Sequence, residues 1–266
     1  MTPAKNVFIE TITPKMAQKW LDASDFSQRP ISPKHVKSLA TQMKQGKWKL
    51  NYEAYQLGPN GEVINGQHRL TAIVSSGVTV KGLVACDVPP DVFGTIDTGR
   101  RRNGADVLAM RGEKNCSLLS GALRVIIIYD VLEIYDHRSG LVTNDDILQG
   151  LDEHPEVREW VERAQHCSGL IEVSIAAGFG YLFWKKSAHE ALEFFEQLST
   201  GIELKQGSPV LLLRERLASN RSSLARLPRR EIAALLVKAW NLFREGKKMK
   251  RLFWSPNDGE VFPKIK

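Results

Sequence analysis

The segment that most constrains the fold is a change of pattern between residues 62 and 77. Residues 62–64 read as the end of a β-hairpin that turns at residues 58–61, and Gly66 follows almost at once. From there apolar side chains recur at helical spacing until Gly77, namely Leu70, Ile73 and Val74. A strand, a glycine turn and a helix in immediate succession indicate a mixed fold in which strands and helices share one core.

The turn itself, Gly66-Gln67-His68-Arg69, carries the residues of an anion site. Free backbone N–H groups and the helix dipole favour an anion at a helix start, and glycine permits backbone conformations that other residues resist. Arg69 can offer a planar fork to phosphate oxygens, and His68 can donate a hydrogen bond or transfer a proton. The residues alone fit two interpretations: a phosphate site, or a polar turn in which Arg69 pairs with a surface carboxylate.

The remaining patterns divide the chain into two halves. Before residue 103 the sequence predicts strands at 7–12, 52–57 and 78–88, helices at 14–21 and from Pro33 to Gly46 with Ser32 as N-cap, and a short helix after residue 89. Later helices are predicted at 115–136, 143–153, 155–166, 172–186, 187–200, 208–219 and 229–245. We therefore expect an α+β protein, with one domain at 1–103 and an all-helical domain at 104–266 that ends in a surface tail.

A net charge of +7 over 266 residues allows a polyanionic partner, although the basic clusters at 100–102 and 247–251 also fit plain solvated surface. Three scattered cysteines indicate reduced thiols and no disulfide framework, and the histidines show no metal-ligand spacing. No apolar run is long enough for a membrane span, and no secretory signal is visible. We therefore expect a cytoplasmic protein without a membrane partner.

The nine residues Ile64-Asn65-Gly66-Gln67-His68-Arg69-Leu70-Thr71-Ala72 resemble the Gly-x-x-Arg motif of the ParB/sulfiredoxin superfamily, in the form carried by ParB-like proteins of phages and mobile elements. The order around the motif is similar too, because Arg29-Pro30-Ile31-Ser32 opens a helix that ends ahead of the hairpin. The resemblance covers about residues 5–110. It implies that the first domain is a ParB/sulfiredoxin-like domain that binds nucleotide phosphates.

In that family the turn and the helix start hold a nucleoside triphosphate, ATP or CTP, which Mg²⁺ can accompany. The resemblance implies a phosphate cradle of Gly66, Gln67, His68 and Arg69, a second anion contact at Arg29, and further ligand contacts at Asp97, Thr98 and Arg100. Two positions depart from the family. Gln67 stands where sulfiredoxins carry the catalytic cysteine, which excludes their chemistry, and Asn65 replaces an aspartate of many relatives, which points to a weaker catalyst or a binder only.

Three functions from different classes are consistent with these observations. The first is a nucleotide-binding, DNA-associated protein of a phage or mobile element, with DNA contacts from Arg101, Arg102, Lys247 and Lys248. The second is a DNA-acting enzyme (a nuclease, kinase or DNA-modifying transferase) in which His68 and Arg69 are catalytic. The third is a protein-binding module on an inherited scaffold. A homodimer is compatible with each of them.

Overall fold

A computed structural model of the chain describes residues 6–24, 30–89, 91–92, 102–132, 142–222 and 227–266. The chain divides into two compact units, Met1–Arg100 and Arg101–Lys266, which we call unit 1 and unit 2. Unit 1 combines helices with a sheet, and every regular element described in unit 2 is helical. The protein is therefore of the α+β class.

The sheet of unit 1 has four strands: β1 (Val7–Ile12), β2 (Tyr55–Leu57), β3 (Val63–Asn65) and β4 (Val80–Ala85). Their spatial order is β1-β4-β2-β3. β1 is antiparallel to β4, β4 is parallel to β2, and β2 forms the expected antiparallel hairpin with β3. Strand β3 is an edge strand beside β2, so the glycine turn that follows it begins at the edge of the sheet.

Three helices cover this sheet: α1 (Pro14–Asp22), α2 (Pro33–Lys44) and α3 (Gln67–Ser76). The sequence signals for α2 are confirmed, because the Ser32 hydroxyl accepts a hydrogen bond from the backbone N–H of His35 at the helix start. Its apolar face is buried through Val36, Ala40 and Met43. These side chains join Leu70 and Ile73 of α3, Ile12 of β1 and Val84 of β4 in one core.

Unit 2 contains α4 (Gly104–Met110), α5 (Cys116–Leu132), α6 (Asn144–Glu153), α7 (Val157–Ala164), α8 (Val173–Trp184), α9 (Ala188–Thr200), α10 (Pro209–Ser222) and α11 (Arg229–Arg244). Helix α4 has Asn103 as its N-cap, and the Asn103 side chain accepts from the backbone N–H groups of Ala105 and Asp106. At the centre the ring of Phe183 stacks on Trp240 with centroids 4.5 Å apart, and Phe194 meets Trp240 edge-on at 5.7 Å. None of the helices described for this protein is long and apolar enough to span a bilayer.

The C-terminal segment corrects one expectation. The residues after α11 were expected to lie on the surface as a tail, but Leu252, Trp254 and Phe262 are buried in the core of unit 2. The backbone is held there as well, since the Trp254 indole donates to the carbonyl oxygen of Val261 at 3.1 Å and the Asn241 amide donates to that of Lys264 at 2.8 Å. Alternating burial without helical spacing explains why a helix-based interpretation missed this packing.

Candidate functional site

The turn between β3 and α3 requires glycine on two independent grounds. Gly66 has φ +105°, in the left-handed region that side-chain-bearing residues avoid. A Cβ atom at this position would also lie 2.9 Å from Cδ1 of Tyr55. Helix α3 begins directly after it, and no side chain caps the first turn of the helix. The turn thus leaves the positive end of the α3 dipole without a side-chain acceptor, as is also the case at the starts of α7, α8, α9 and α11.

Arg69 lies beneath this turn and is only 8% exposed. Its Nη1 donates to the carbonyl oxygen of Glu53 at 2.6 Å, and its Nη2 donates to that of Ala54 at 2.9 Å. The guanidinium carbon is 4.5 Å from the centre of the Tyr55 ring, a cation–π distance. Arg69 therefore fastens the chain ahead of β2 to the helix that carries the turn. Nη2 also lies 3.9 Å from Oε1 of the exposed Glu53, as the polar-turn interpretation expected, whereas the main-chain contacts were not part of the sequence prediction.

Tyr55 is the central support of the turn, and sequence reasoning missed it. Its ring occupies the space that a Cβ atom on Gly66 or on Gly82 of β4 would need. Burial raises the pKa of the Tyr55 phenol to about 12, with Arg69 opposing the shift and Glu53 adding to it. The available signal was Gly82, because a glycine inside a strand marks a close approach by another group.

His68 joins the starts of two helices. Its Nε2 accepts a hydrogen bond from the backbone N–H of Ser32 at 3.0 Å, so the neutral ring carries its proton on Nδ1. The ring of His35, in the first turn of α2, lies 5.3 Å from the His68 ring. The loop at residues 30–32 is thereby anchored beside the glycine turn. The sequence predicted that this loop opens α2, but it did not predict the contact with His68.

Two glutamine side chains near the turn have buried oxygen atoms without a hydrogen-bond partner among the described residues. They are Oε1 of Gln67, the first residue of α3, and Oε1 of Gln56, which pairs with Asn65 across the hairpin. The Tyr55 hydroxyl is in the same state. Buried polar atoms normally have partners, so acceptors of this kind beside an open helix start suit a ligand that carries hydrogen-bond donors.

Of the other predicted site residues, Arg29, Asp97, Thr98, Arg100 and Arg101 lie outside the described residues. Arg102 is exposed, and its carbonyl oxygen accepts a hydrogen bond from Asn144 in unit 2. Lys247 and Lys248 are exposed after α11, with Lys247 Nζ paired to Glu245 at 2.7 Å. Over the described parts of the chain, no cluster of three His, Cys, Asp or Glu side chains could hold a metal ion.

Comparison with protein-family models, curated proteins and solved structures gave no match to this chain. The geometry of the turn, the charge of the chain and the motif resemblance are therefore the observations that bear on function.

Proposed function

We propose that unit 1 has a ParB/sulfiredoxin-like fold and binds a nucleoside triphosphate, ATP or CTP, with its phosphates at the start of α3. The observation that carries this proposal is the uncapped helix start behind a glycine that has φ +105° and no space for a Cβ atom. Backbone N–H groups and the helix dipole at such a turn are suited to a phosphate group. The phosphates bring any Mg²⁺ that accompanies the nucleotide.

The side chains around the turn have different roles in this proposal. Arg69 and Tyr55 hold the turn in shape from below, and His68 fixes the loop before α2 beside it. Gln67 offers its unpartnered Oε1 to a donor on the nucleotide, such as a hydroxyl or amino group. Because the His68 Nε2 already accepts from Ser32, we propose binding at this turn and not proton transfer by His68.

We propose further that the protein associates with DNA through its basic residues. The net charge of +7 and the exposed side chains of Arg102, Lys247 and Lys248 support this part of the proposal. Phosphate contacts by such residues release counterions, so binding should weaken steeply as salt is raised.

A thermal-shift screen of the whole chain with ATP, CTP, GTP and UTP, each with and without Mg²⁺, tests the nucleotide site. A nucleotide at 100 times its dissociation constant should stabilise the protein by about 2.7 kcal/mol, which is a shift of several degrees. In the Gln67→Glu variant the shift should vanish, because a carboxylate at the helix start repels phosphate. The same carboxylate suits the helix dipole, so the variant should still fold.

Asn60→Asp is the matched control, since it adds the same charge at an exposed residue of the β2–β3 turn. Its nucleotide shift should equal that of the unchanged protein. The proposal fails if no nucleotide gives a shift, or if Gln67→Glu shifts as much as Asn60→Asp.

A further inference from the structure

Beyond the nucleotide site, unit 2 exposes an aromatic ring on an otherwise well-packed segment. Along residues 251–254 the side chains alternate between exposed and buried, and Leu252 and Trp254 point into the core. Phe253 points outward and is 58% exposed. A single exposed apolar side chain is common in proteins, so the significance of Phe253 depends on the groups beside it.

The backbone that carries Phe253 is fixed. Lys238 of α11 donates from Nζ to the carbonyl oxygen of Phe253 at 2.6 Å and pairs with Glu260 at 2.6 Å. The same Nζ lies 5.2 Å from the centre of the Phe253 ring. The buried neighbour Trp254 anchors the other side of the residue. The ring is therefore an exposed group on a pre-organised support, which reduces the entropy that a ligand must overcome.

Several basic residues of this part of unit 2 lack a carboxylate partner among the described residues, whereas Lys238, the cation at the ring itself, is paired with Glu260. Lys248, Lys250, Arg251 and Arg230 are exposed and form no ion pair with any described residue. Arg251 lies two residues before Phe253 in an extended segment, and so about 6.6 Å away along the chain on the same side. Arg230 contacts the neighbouring residue of the segment, with its guanidinium carbon 5.4 Å from the centre of the Trp254 ring. The surface thus combines an aromatic face with unneutralised positive charge.

We propose that this surface binds single-stranded nucleic acid, with a base stacked on Phe253 and the neighbouring phosphates on Arg251, Lys250 and Lys248. This inference rests on the DNA association proposed above and specifies its form. Every base has a face that can stack on an aromatic ring, but a duplex hides those faces within its own stack. An exposed ring beside phosphate-binding cations therefore favours an unpaired strand over a duplex.

Fluorescence anisotropy of the whole chain with labelled oligo(dT) and with a duplex of equal length tests the proposal. Phe253→Ala should weaken oligo(dT) binding about 10-fold and leave duplex binding unchanged, because stacking on the ring is lost and the charge is kept. Phe253→Trp should restore the affinity. Arg251→Ala should weaken binding to both probes and lower the salt slope by about one.

Val261→Ala is the control, since Val261 is a more exposed apolar side chain of the same C-terminal segment. It should bind oligo(dT) as the unchanged protein does. The proposal is overturned if Phe253→Ala binds oligo(dT) normally, or if it loses duplex binding to the same extent. It is also overturned if the protein ignores oligo(dT) and instead binds vesicles of phosphatidylserine in a Phe253-dependent way.

The two proposals fail separately in these experiments. Phe253-dependent binding of oligo(dT) with no nucleotide shift would refute the nucleotide site alone. A nucleotide shift that Gln67→Glu abolishes, with no binding of any DNA probe, would refute the DNA association and the surface at Phe253 together. Equal binding of oligo(dT) and duplex, unaffected by Phe253→Ala, would refute the single-strand surface alone.

Discussion

The two units differ in what surrounds their buried aromatic side chains. Around the glycine turn of unit 1, Tyr55, Gln56 and Gln67 each have a buried polar oxygen without a partner among the described residues. In the centre of unit 2, Phe183, Phe194 and Trp240 pack ring against ring, and the Trp240 indole Nε1 also has no partner among the described residues. The difference teaches where substitutions should act: those in the unit 2 core should reduce stability, and those of the polar side chains at the turn should chiefly change ligand binding.

The largest effect is expected in the unit 2 core. Trp240→Ala removes a fully buried ring that stacks on Phe183, so the free energy of unfolding should fall by about 3–5 kcal/mol. Urea unfolding followed by fluorescence of the remaining tryptophans measures this change. Phe253→Ala, which removes an exposed ring from the same unit, should stay within about 0.5 kcal/mol. Equal losses in the two variants would contradict the packing described for unit 2.

A pair of glycine substitutions separates backbone strain from crowding in unit 1. Gly77, at the end of α3, has φ +70° and open space around it, so Gly77→Ala should cost about 1–2 kcal/mol from strain alone. Gly66→Ala meets the Tyr55 ring as well and should cost about 1–3 kcal/mol more. Thermal unfolding of both variants, with nucleotide titration, compares them. If Gly66→Ala were as stable as Gly77→Ala, the Tyr55 contact would not constrain the turn.

Removing one unpartnered oxygen should stabilise unit 1. Tyr55→Phe deletes a buried hydroxyl that has no hydrogen-bond partner, so the free energy of unfolding should rise by about 1 kcal/mol or stay unchanged. The pKa of Tyr55 is raised from 10.0 to about 12, so the folded state resists losing this proton. The stabilising contribution of this raised pKa to the free energy of unfolding is present below pH 10 and disappears as the pH rises to 12. Urea midpoints between pH 9 and pH 12 should therefore decline less in Tyr55→Phe.

The smallest effect concerns His154, at the end of α6. Burial and then the charge of Lys185 lower its pKa, although Asp130 opposes the shift with Oδ2 at 3.6 Å from Nε2. The fold thus favours the neutral ring, whose Nδ1 lies 3.0 Å from the Tyr181 hydroxyl. The stabilising contribution of neutral His154 to the free energy of unfolding is present above pH 6.5. It is lost as the pH falls below that value, because His154 takes up a proton more readily in the unfolded chain than in the folded one.

The variant His154→Gln should flatten this acid dependence, as measured by urea midpoints between pH 5 and pH 8. A matched substitution at the exposed His189 should leave it unchanged. If the urea midpoint of His154→Gln depended on pH as that of the unchanged protein does, other groups would be the cause of the acid sensitivity of unit 2.

Local signals made much of the fold predictable. Helix α2 followed from its N-cap Ser32 and from Gly46, and the hairpin followed from its turn residues. The extent of helix α4 could not be predicted beyond its start at Asn103, because seven residues are too few to establish an apolar period. The strand expected at 78–88 is shorter, Val80–Ala85, since the ends of a strand depend on which neighbours it pairs with.

The candidate site was predictable only in part. Glycine, glutamine, histidine and arginine in the turn pointed to an anion, and the glycine geometry agrees with a tight turn at that place. The partners of Arg69 were beyond sequence reasoning, because they are the main-chain carbonyls of Glu53 and Ala54, which any residue would provide. The same holds for His68, whose partner is the backbone N–H of Ser32.

The hydrogen bonds that hold the last residues in unit 2 bear on the order in which the contacts of the two units can form. The backbone N–H of Ile265 donates to the Tyr129 hydroxyl at 2.8 Å, and that of Lys266 donates to the Asn241 side chain at 3.0 Å. Tyr129 of α5 and Asn241 of α11 therefore gain these hydrogen bonds only after residues 136 and 25 positions later in the chain have been synthesised. All of unit 1 precedes residue 101, so its contacts can form before the hydrogen bonds of residues 265 and 266 do.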